Sequence, residues 1–201
     1  MSTSLRSSVK VECGWTWRDQ FGLTSVVDSN RVSAAGELTD GGGANQADVA
    51  WHATGQSLAA GQSVVYDLGA LERPLFGDVV TVHLAVVRSL LIVNRNAAGN
   101  GYLAVGGAGT AEWAAPFGMV GDTVKVMPGS PLVLAHLRDG WTVDAGGNRL
   151  KLAAVGDAIA YDIVILGNVA VDAGSGSSGS SSSGSGSSGS WSSSSGSSGS
   201  G

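Results

Sequence analysis

Residues 79–95 read VVTVHLAVVRSLLIVNR and form the longest apolar stretch of the chain. The stretch is rich in β-branched valine and isoleucine, which suit the pleated surface of a sheet better than a helix. Apolar residues fall on both faces, so a strand here has to be covered from both sides. The stretch therefore predicts one long or two consecutive buried strands between packed layers, with an amphipathic helix as the weaker alternative.

Short strand candidates separated by turn residues continue on both sides of this stretch. They are residues 9–17, 23–27, 49–57, 62–68, 102–105, 123–126, 132–137, 141–144, 149–155 and 158–166. Their recurrence about every 8–14 residues is typical of a sandwich or barrel. The sequence therefore predicts an all-β fold, a jelly-roll-like β-sandwich.

Some local pairings follow from the lengths of the connections. Residues 49–57 and 62–68 are predicted to form one hairpin, and residues 141–144 and 149–155 a second. Residues 71–76 contain Pro74 and are predicted to form an irregular turn or a single helical turn.

The N-terminal candidate, residues 9–17, alternates strictly along its length. Its apolar members are Val9, Val11, Cys13, Trp15 and Trp17. A period of two predicts a strand with one buried face. Cys13 is the single cysteine, which excludes an intrachain disulfide, and we expect it to be a small buried side chain.

The C-terminal segment has a different composition. From Gly174 to Gly201 every residue is Gly or Ser except Trp191. Such a segment has almost no apolar surface to bury, so we expect one β-sandwich domain at 1–172 and a disordered, flexible Ser/Gly-rich tail at 173–201. Trp191 is the one candidate partner contact, as a docking anchor. The alternative is that the tail is a tolerated or engineered linker.

Composition limits the classes of partner. The net charge is −5, and an acidic chain without a basic cluster is a poor match for a phosphate backbone, so no nucleic acid is expected. No window approaches the ~20 apolar residues of a membrane span, and the first ten residues lack the apolar core of a signal peptide. We therefore expect no membrane partner and synthesis in the cytoplasm. With 43% hydrophobic and only 13% charged residues, self-association is expected to cover part of the surface.

No catalytic, metal or cofactor site is predicted. The three histidines, His52, His83 and His136, lie far from one another and from Cys13, and we interpret them as hydrogen-bonded strand residues, the last two buried and neutral. Residues 106–109 lack the spacing of a phosphate loop, and residues 40–48 lack the alternating carboxylates of a calcium loop, so both are interpreted as loops. The expectation is a protein that is not an enzyme and uses no cofactor.

The tryptophans before the tail are the other notable group. Trp15, Trp17, Trp51, Trp113 and Trp141 lie in or beside predicted strands. Packing in the core or at a subunit interface is the main interpretation. A sugar-binding platform is the alternative, because aromatic faces combine apolar area with polar handles.

An ordered series of short segments runs from Leu38 to Gly167. It consists of LTDGGGANQAD (38–48) before Trp51-His52, GAGTAEW (107–113) before PFG (116–118), DTV (122–124) before PG (128–129), and LKL (150–152) before YDIVI (161–165). In this order the segments resemble small β-rich structural proteins of tailed bacteriophages, either capsid decoration or cement proteins or tail-associated proteins. The resemblance implies a virion component that forms homo-oligomers, and it carries no catalytic residue.

These observations give a functional expectation. We expect a bacteriophage virion structural protein, a capsid decoration or cement protein that acts through protein–protein contacts. Its partners would be other copies of itself, as a trimer, and the major capsid protein or another virion protein. The alternatives are a tail or fibre component that binds a host surface or glycan and, less favoured, an enzyme such as a cell-wall hydrolase.

Overall fold

A computed structural model describes residues 4–22, 24–75 and 78–170. Within these ranges all regular secondary structure is β-strand. The strands are β1 (Ser7–Phe21), β2 (Thr24–Leu38), β3 (Val49–Leu58), β4 (Ser63–Asp67), β5 (Leu71–Leu75), β6 (Asp78–Val82), β7 (Leu84–Asn94), β8 (Tyr102–Gly106), β9 (Thr123–Val126), β10 (Pro131–Ala135), β11 (Trp141–Thr142), β12 (Arg149–Val155) and β13 (Ile159–Val169). The prediction of an all-β fold is confirmed. Consistently, no helix in this part of the chain is long and apolar enough to cross a membrane. The predicted tail, with Trp191, lies outside the described residues.

Two antiparallel sheets make up the sandwich. A five-stranded sheet has the order β10-β7-β13-β3, with the short β11 also pairing with β7, and a four-stranded sheet has the order β4-β12-β8-β9. If β11 is set aside and the other eight strands are counted along the chain, the orders are 6-3-8-1 and 2-7-4-5. This is the strand arrangement of a jelly roll, in which the chain repeatedly crosses between two sheets.

The core fills the space between these two sheets. Its fully buried aliphatic members include Leu90, Ile92, Leu103, Leu150, Leu152, Ile159, Ile163 and Ile165. Each such side chain contributes about 1.5–3 kcal/mol by leaving water. The alternation of inward-facing residues along β7, β12 and β13 is therefore the main determinant of how the sandwich closes.

Residues 79–95 form two consecutive strands, β6 and β7, but only β7 is buried on both faces. Val79 and Val80 in β6 are 62% and 44% exposed, because β6 leaves the sandwich and pairs with β5 as a separate hairpin. Residues 71–75 are thus strand β5 rather than a turn. Pro74 is tolerated there because a two-stranded ribbon has free edges that need no amide hydrogen.

Neither predicted sandwich hairpin forms. β3 pairs with β13 and β4 pairs with β12, so the short connection at 59–62 crosses from one sheet to the other. Likewise β11 pairs with β7 and not with β12. In both cases each strand places its apolar residues against the shared core from its own sheet, which a hairpin between the two strands would prevent.

β1 and β2 form a hairpin of their own, here called the arm. Each strand has 15 residues, and the register runs from Ser7 opposite Leu38 to Phe21 opposite Thr24. At 3.4 Å per residue the arm is about 50 Å long. The strands predicted at 9–17 and 23–27 are confirmed, apart from Leu23, which lies outside the described residues, and both strands run well beyond the predicted limits.

Candidate protein interaction surface

The arm has two faces of opposite character. Directly opposed residues of an antiparallel pair point to the same side, so the register assigns every side chain to a face. The apolar face carries Val9, Val11, Cys13, Trp15, Trp17, Val26, Val32 and Ala34, with the polar residues Asp19, Asp28 and Asn30 among them. The polar face carries Lys10, Glu12, Thr16, Arg18, Gln20, Ser25, Ser29, Arg31 and Ser33, with Val27 as its one large apolar member.

The apolar face is open to solvent. Val11 is 49% exposed, Trp15 41%, Trp17 51% and Val32 63%, and Cys13 is exposed as well. The expectation of a strand with a buried face and a buried cysteine is therefore wrong for the single chain. Alternation indicates that one face is apolar, but the covering layer has to come from elsewhere, and residues 4–22, 24–75 and 78–170 supply none along the arm.

At its root the arm rests on the sandwich. Leu38 is fully buried, and a Cβ atom placed on Gly36 would come within 2.1 Å of the Leu137 side chain. Gly36 lies opposite Val9, so the apolar face begins in contact with the body of the protein. The face loses this cover from Val11 outward.

A cleft lies beside the root. Its volume is about 220 Å³, and it is lined by Ser8, Val9, Lys10, Ser89, Leu91, Val133, Val164 and Leu166. The last five belong to β7, β10 and β13, so the first residues of β1 lie over the outer surface of the five-stranded sheet.

Polar contacts hold the arm in register. Glu12 pairs with Lys10 at 2.8 Å and with Arg31 at 3.3 Å, and all three are on the polar face. Exposed ion pairs of this kind are worth only about 0–1 kcal/mol each, so they serve solubility and register more than stability. On the apolar face, Trp15 Nε1 donates to an Asp28 carboxylate oxygen at 3.1 Å.

Two of the remaining tryptophans are core residues, as the main interpretation expected. Trp51 donates its indole N–H to the carbonyl oxygen of Glu72 at 2.8 Å, and Trp113 donates to that of Thr142 at 3.0 Å. Both rings are buried with their donors satisfied. Trp141 is half-buried and packs edge-on against Trp113 at 6.1 Å between ring centroids.

The histidines lie at the surface. His52 is exposed within β3, His83 is exposed between β6 and β7, and His136 is exposed just after β10. The expectation that the last two are buried is wrong, because both fall where the chain leaves an apolar strand. His83 Nδ1 is hydrogen-bonded to the carbonyl oxygen of Gly69, and the His136 ring lies 5.5 Å from that of Trp141.

Sequence reasoning missed two buried polar residues. The carboxylate of Glu112 accepts hydrogen bonds from the backbone N–H groups of Gly107, Gly109 and Gly121. These bonds organise the Gly-rich loop at 106–109, in which the N–H groups of Gly107 and Gly109 are thereby occupied. In the run GAGTAEW, Glu112 follows Gly107 by five residues and Gly109 by three. This spacing was the sequence signal for a contact between the carboxylate and the loop.

The second missed residue is Arg88, which is only 4% exposed. Its guanidinium donates to Asn168 Oδ1 at 3.0 Å, to Gly43 O at 2.9 Å and to the carbonyl oxygens of Leu137 and Arg138. Arg88 thereby connects the loop after β2 with the loop after β10, close to the root of the arm. In the sequence Arg88 is a single cation within an apolar run, and nothing in that run indicates which groups accept its hydrogen bonds.

The described residues were also compared with the requirements of a metal site. Among residues 4–22, 24–75 and 78–170 no three His, Cys, Asp or Glu residues are grouped so that they could hold a metal ion.

No protein-family model and no curated protein matches the chain. The fold and the arm together define a jelly-roll sandwich whose most distinctive feature is an uncovered apolar ribbon.

Proposed function

We propose that this protein is a structural component of a bacteriophage virion, a capsid decoration or cement protein that acts through protein–protein contacts. The observation that carries the contact-based role is the exposed apolar face of the arm. The assignment to a virion rests on the ordered segments between Leu38 and Gly167 that resemble structural proteins of tailed phages.

The arm supports a role in assembly for an energetic reason. A two-stranded hairpin is marginally stable in water unless a further layer covers one of its faces. Two tryptophans and several valines on the open face therefore raise the free energy of the isolated chain and favour association. A protein built to bind only a small ligand has no need for a ribbon about 50 Å long.

The architecture of the body is compatible with this role. Double-sheet jelly rolls are used in viral capsid domains and also in lectin domains. A rigid sandwich with one extended arm could bridge neighbouring subunits of a shell, and a trimer would suit a position of local threefold symmetry. Trp191 remains a predicted further contact to a virion protein.

Immunogold electron microscopy of purified virions, with antibody raised against residues 1–172, tests the proposal. Label distributed over the head supports decoration of the capsid. Absence of label from every particle, with the antibody shown to bind the purified protein, would contradict the assignment to a virion.

A second candidate is a tail or fibre component that binds a host glycan. The observation that favours it is the pairing of the half-buried Trp141 with the exposed His136, which places an aromatic surface beside a polar group. Label at the tail tip, together with glycan binding that is lost in Trp141→Ala and kept in Trp17→Ala, would make this candidate the better one.

A further inference from the structure

We infer that the apolar face of the arm is an interface between copies of this chain, on which the arm of a second copy packs face to face. The inference rests on the proposed function in that it names the partner of one surface within a protein that works through contacts; this contact joins two copies and is separate from the contact that would form a trimer. It concerns the purified protein alone and can be tested without any virion.

The uncovered area is of the right size for such a contact. Two half-exposed tryptophans and the exposed valines of the apolar face leave an apolar area on the order of 500 Å² per copy. Two arms that cover each other would remove roughly 1,000 Å² from water, which is about the smallest area of a specific interface. The apolar face is therefore large enough for two arms to form a specific interface with each other.

The net charge of the arm differs from that of the sandwich, and its charged residues limit how two arms can meet. The arm region, residues 4–38, contains four basic and four acidic residues and is neutral, whereas residues 39–170 contain seven basic and eleven acidic residues. The arm as a whole is neutral, but Asp19 and Asp28 lie on the apolar face, so these carboxylates have to stay at the solvated edge of a contact between two arms. The basic side chains of the strands, Lys10, Arg18 and Arg31, all lie on the polar face and would remain in water.

One polar group of the apolar face is already paired within the arm. The indole N–H of Trp15 already has its acceptor in Asp28 of the same arm, so covering this ring leaves that donor paired. The root of the arm is occupied by the sandwich through Gly36 and Leu137, so a partner arm can cover only the stretch from Val11 outward.

The position of Cys13 follows from the geometry of such a contact. The open part of the apolar face extends along β1 from Val11 to Asp19, which lies opposite Val26, and Cys13 is the same-face neighbour of its midpoint, Trp15. In a contact between identical surfaces, residues near the symmetry axis meet their own counterparts. Face-to-face arms therefore bring the Cys13 side chains of two copies close together.

A matched pair of valine variants tests the interface. Val32 and Val27 are both in β2, are 63% and 54% exposed, and lie on opposite faces of the arm. Sedimentation equilibrium of the full chain is expected to show self-association that Val32→Ser weakens at least about tenfold, because each copy loses one buried valine. Val27→Ser, which carries the same loss of β propensity, is expected to change the dissociation constant less than about threefold.

Crosslinking through the native cysteine provides the second readout. A short bismaleimide is expected to link two chains through Cys13, and the product is expected to disappear in Cys13→Ser and to decrease in Val32→Ser. A chain that stays monomeric at high concentration, equal effects of the two valine variants, or self-association without a Cys13 crosslink would each overturn the inference. If the protein self-associates through Cys13-linked arms but the antibody labels no virion, the interface between arms is supported and only the proposed function is contradicted.

Discussion

The phenol oxygens of Tyr66 and Tyr161 lie 2.8 Å apart and share a hydrogen bond that joins the two sheets of the sandwich. Tyr66 is in β4 of the four-stranded sheet, and Tyr161 is in β13 of the five-stranded sheet. Burial raises the pKa of both phenols, and the hydrogen bond between Tyr161 and Tyr66 raises that of Tyr161 further. The pair is a polar link in an otherwise apolar layer.

Replacing Tyr161 by Phe is expected to lower the free energy of unfolding by about 1–2 kcal/mol, because the Tyr66 hydroxyl loses its partner in a partly buried place. Urea denaturation measures the change. Tyr102→Phe is the control, since the ring of Tyr102 lies at the surface under the Lys125 ammonium group. Equal stability of Tyr161→Phe and the parent protein would show that the bond contributes nothing.

The raised pKa of Tyr161 also predicts a dependence on alkaline pH. The neutral phenol is favoured in the folded state, so its contribution is fully present below the unfolded-state pKa of about 10 and is lost as pH rises through the higher folded-state pKa. Stability is therefore expected to decrease above pH ~10, and less steeply in Tyr161→Phe. Urea denaturation at pH 8 and pH 11 makes the comparison, and identical slopes for the two proteins would contradict it.

Asp162 occupies an irregularity in the pairing of β13 with β3. Its carboxylate accepts a hydrogen bond from the Gly55 N–H at 2.7 Å and pairs with Arg95 at 2.5 Å. Both contacts hold the pKa of the carboxyl below its usual range, and the bond from Gly55 has the larger effect. Gly55 has φ 65°, a conformation that glycine adopts without strain.

A lowered folded-state pKa means that the contribution of Asp162 is present above the unfolded-state pKa of about 4 and is lost as pH falls through the folded-state pKa. Asp162→Asn is therefore expected to melt below the parent protein at pH 7, with the difference shrinking at low pH. Thermal denaturation at pH 7 and at pH 2.5 checks this, with the exposed Asp139→Asn as the control. A difference of the same size at both values of pH would rule out a charge effect.

Glu112→Gln is expected to destabilise the protein by about 2–3 kcal/mol, because an amide NH₂ would replace one of the two oxygens that face three backbone donors. Urea denaturation measures the loss. Glu37→Gln, at an exposed position in the arm, is expected to leave stability within about 0.5 kcal/mol. A similar small effect at Glu112 would mean that the loop does not depend on the carboxylate.

Arg88→Lys is expected to loosen the two loops that the guanidinium joins, since a single ammonium group lacks the planar set of donors that reaches Gly43, Arg138 and Asn168 together. Limited proteolysis should cut within residues 39–48 or 136–140 faster than in the parent protein. The exposed Arg138→Lys serves as the control, and unchanged cleavage rates would remove this role from Arg88.

Iodide quenching should separate the tryptophans by location. Trp51 and Trp113 are buried and are expected to be protected at every concentration, whereas Trp15 and Trp17 are exposed in the single chain. If the arms pair, quenching should decrease as protein concentration rises, and it should stay high in Val32→Ser. Quenching independent of concentration in a protein that does self-associate would place the contact away from the arm.

The amino-acid sequence by itself determined the class of fold and most of the strands. Hydrophobic alternation and turn residues are local properties, so 102–105, 123–126 and 158–166 could be recognised without their neighbours. The buried strand β7 also followed from the apolar residues on both of its faces. The amphipathic character of the arm was visible in the same way.

Only the tertiary structure decided which strands pair and which apolar faces are covered. A four-residue connection such as 59–62 can close a hairpin or cross between sheets, and the choice depends on the distant partners β12 and β13. The same holds for Arg88 and Glu112, whose acceptors and donors come from loops that meet only in the fold. The arm is the clearest case: alternation predicts an apolar face, but its exposure depends on how far β1 and β2 extend beyond the sandwich that would have buried it.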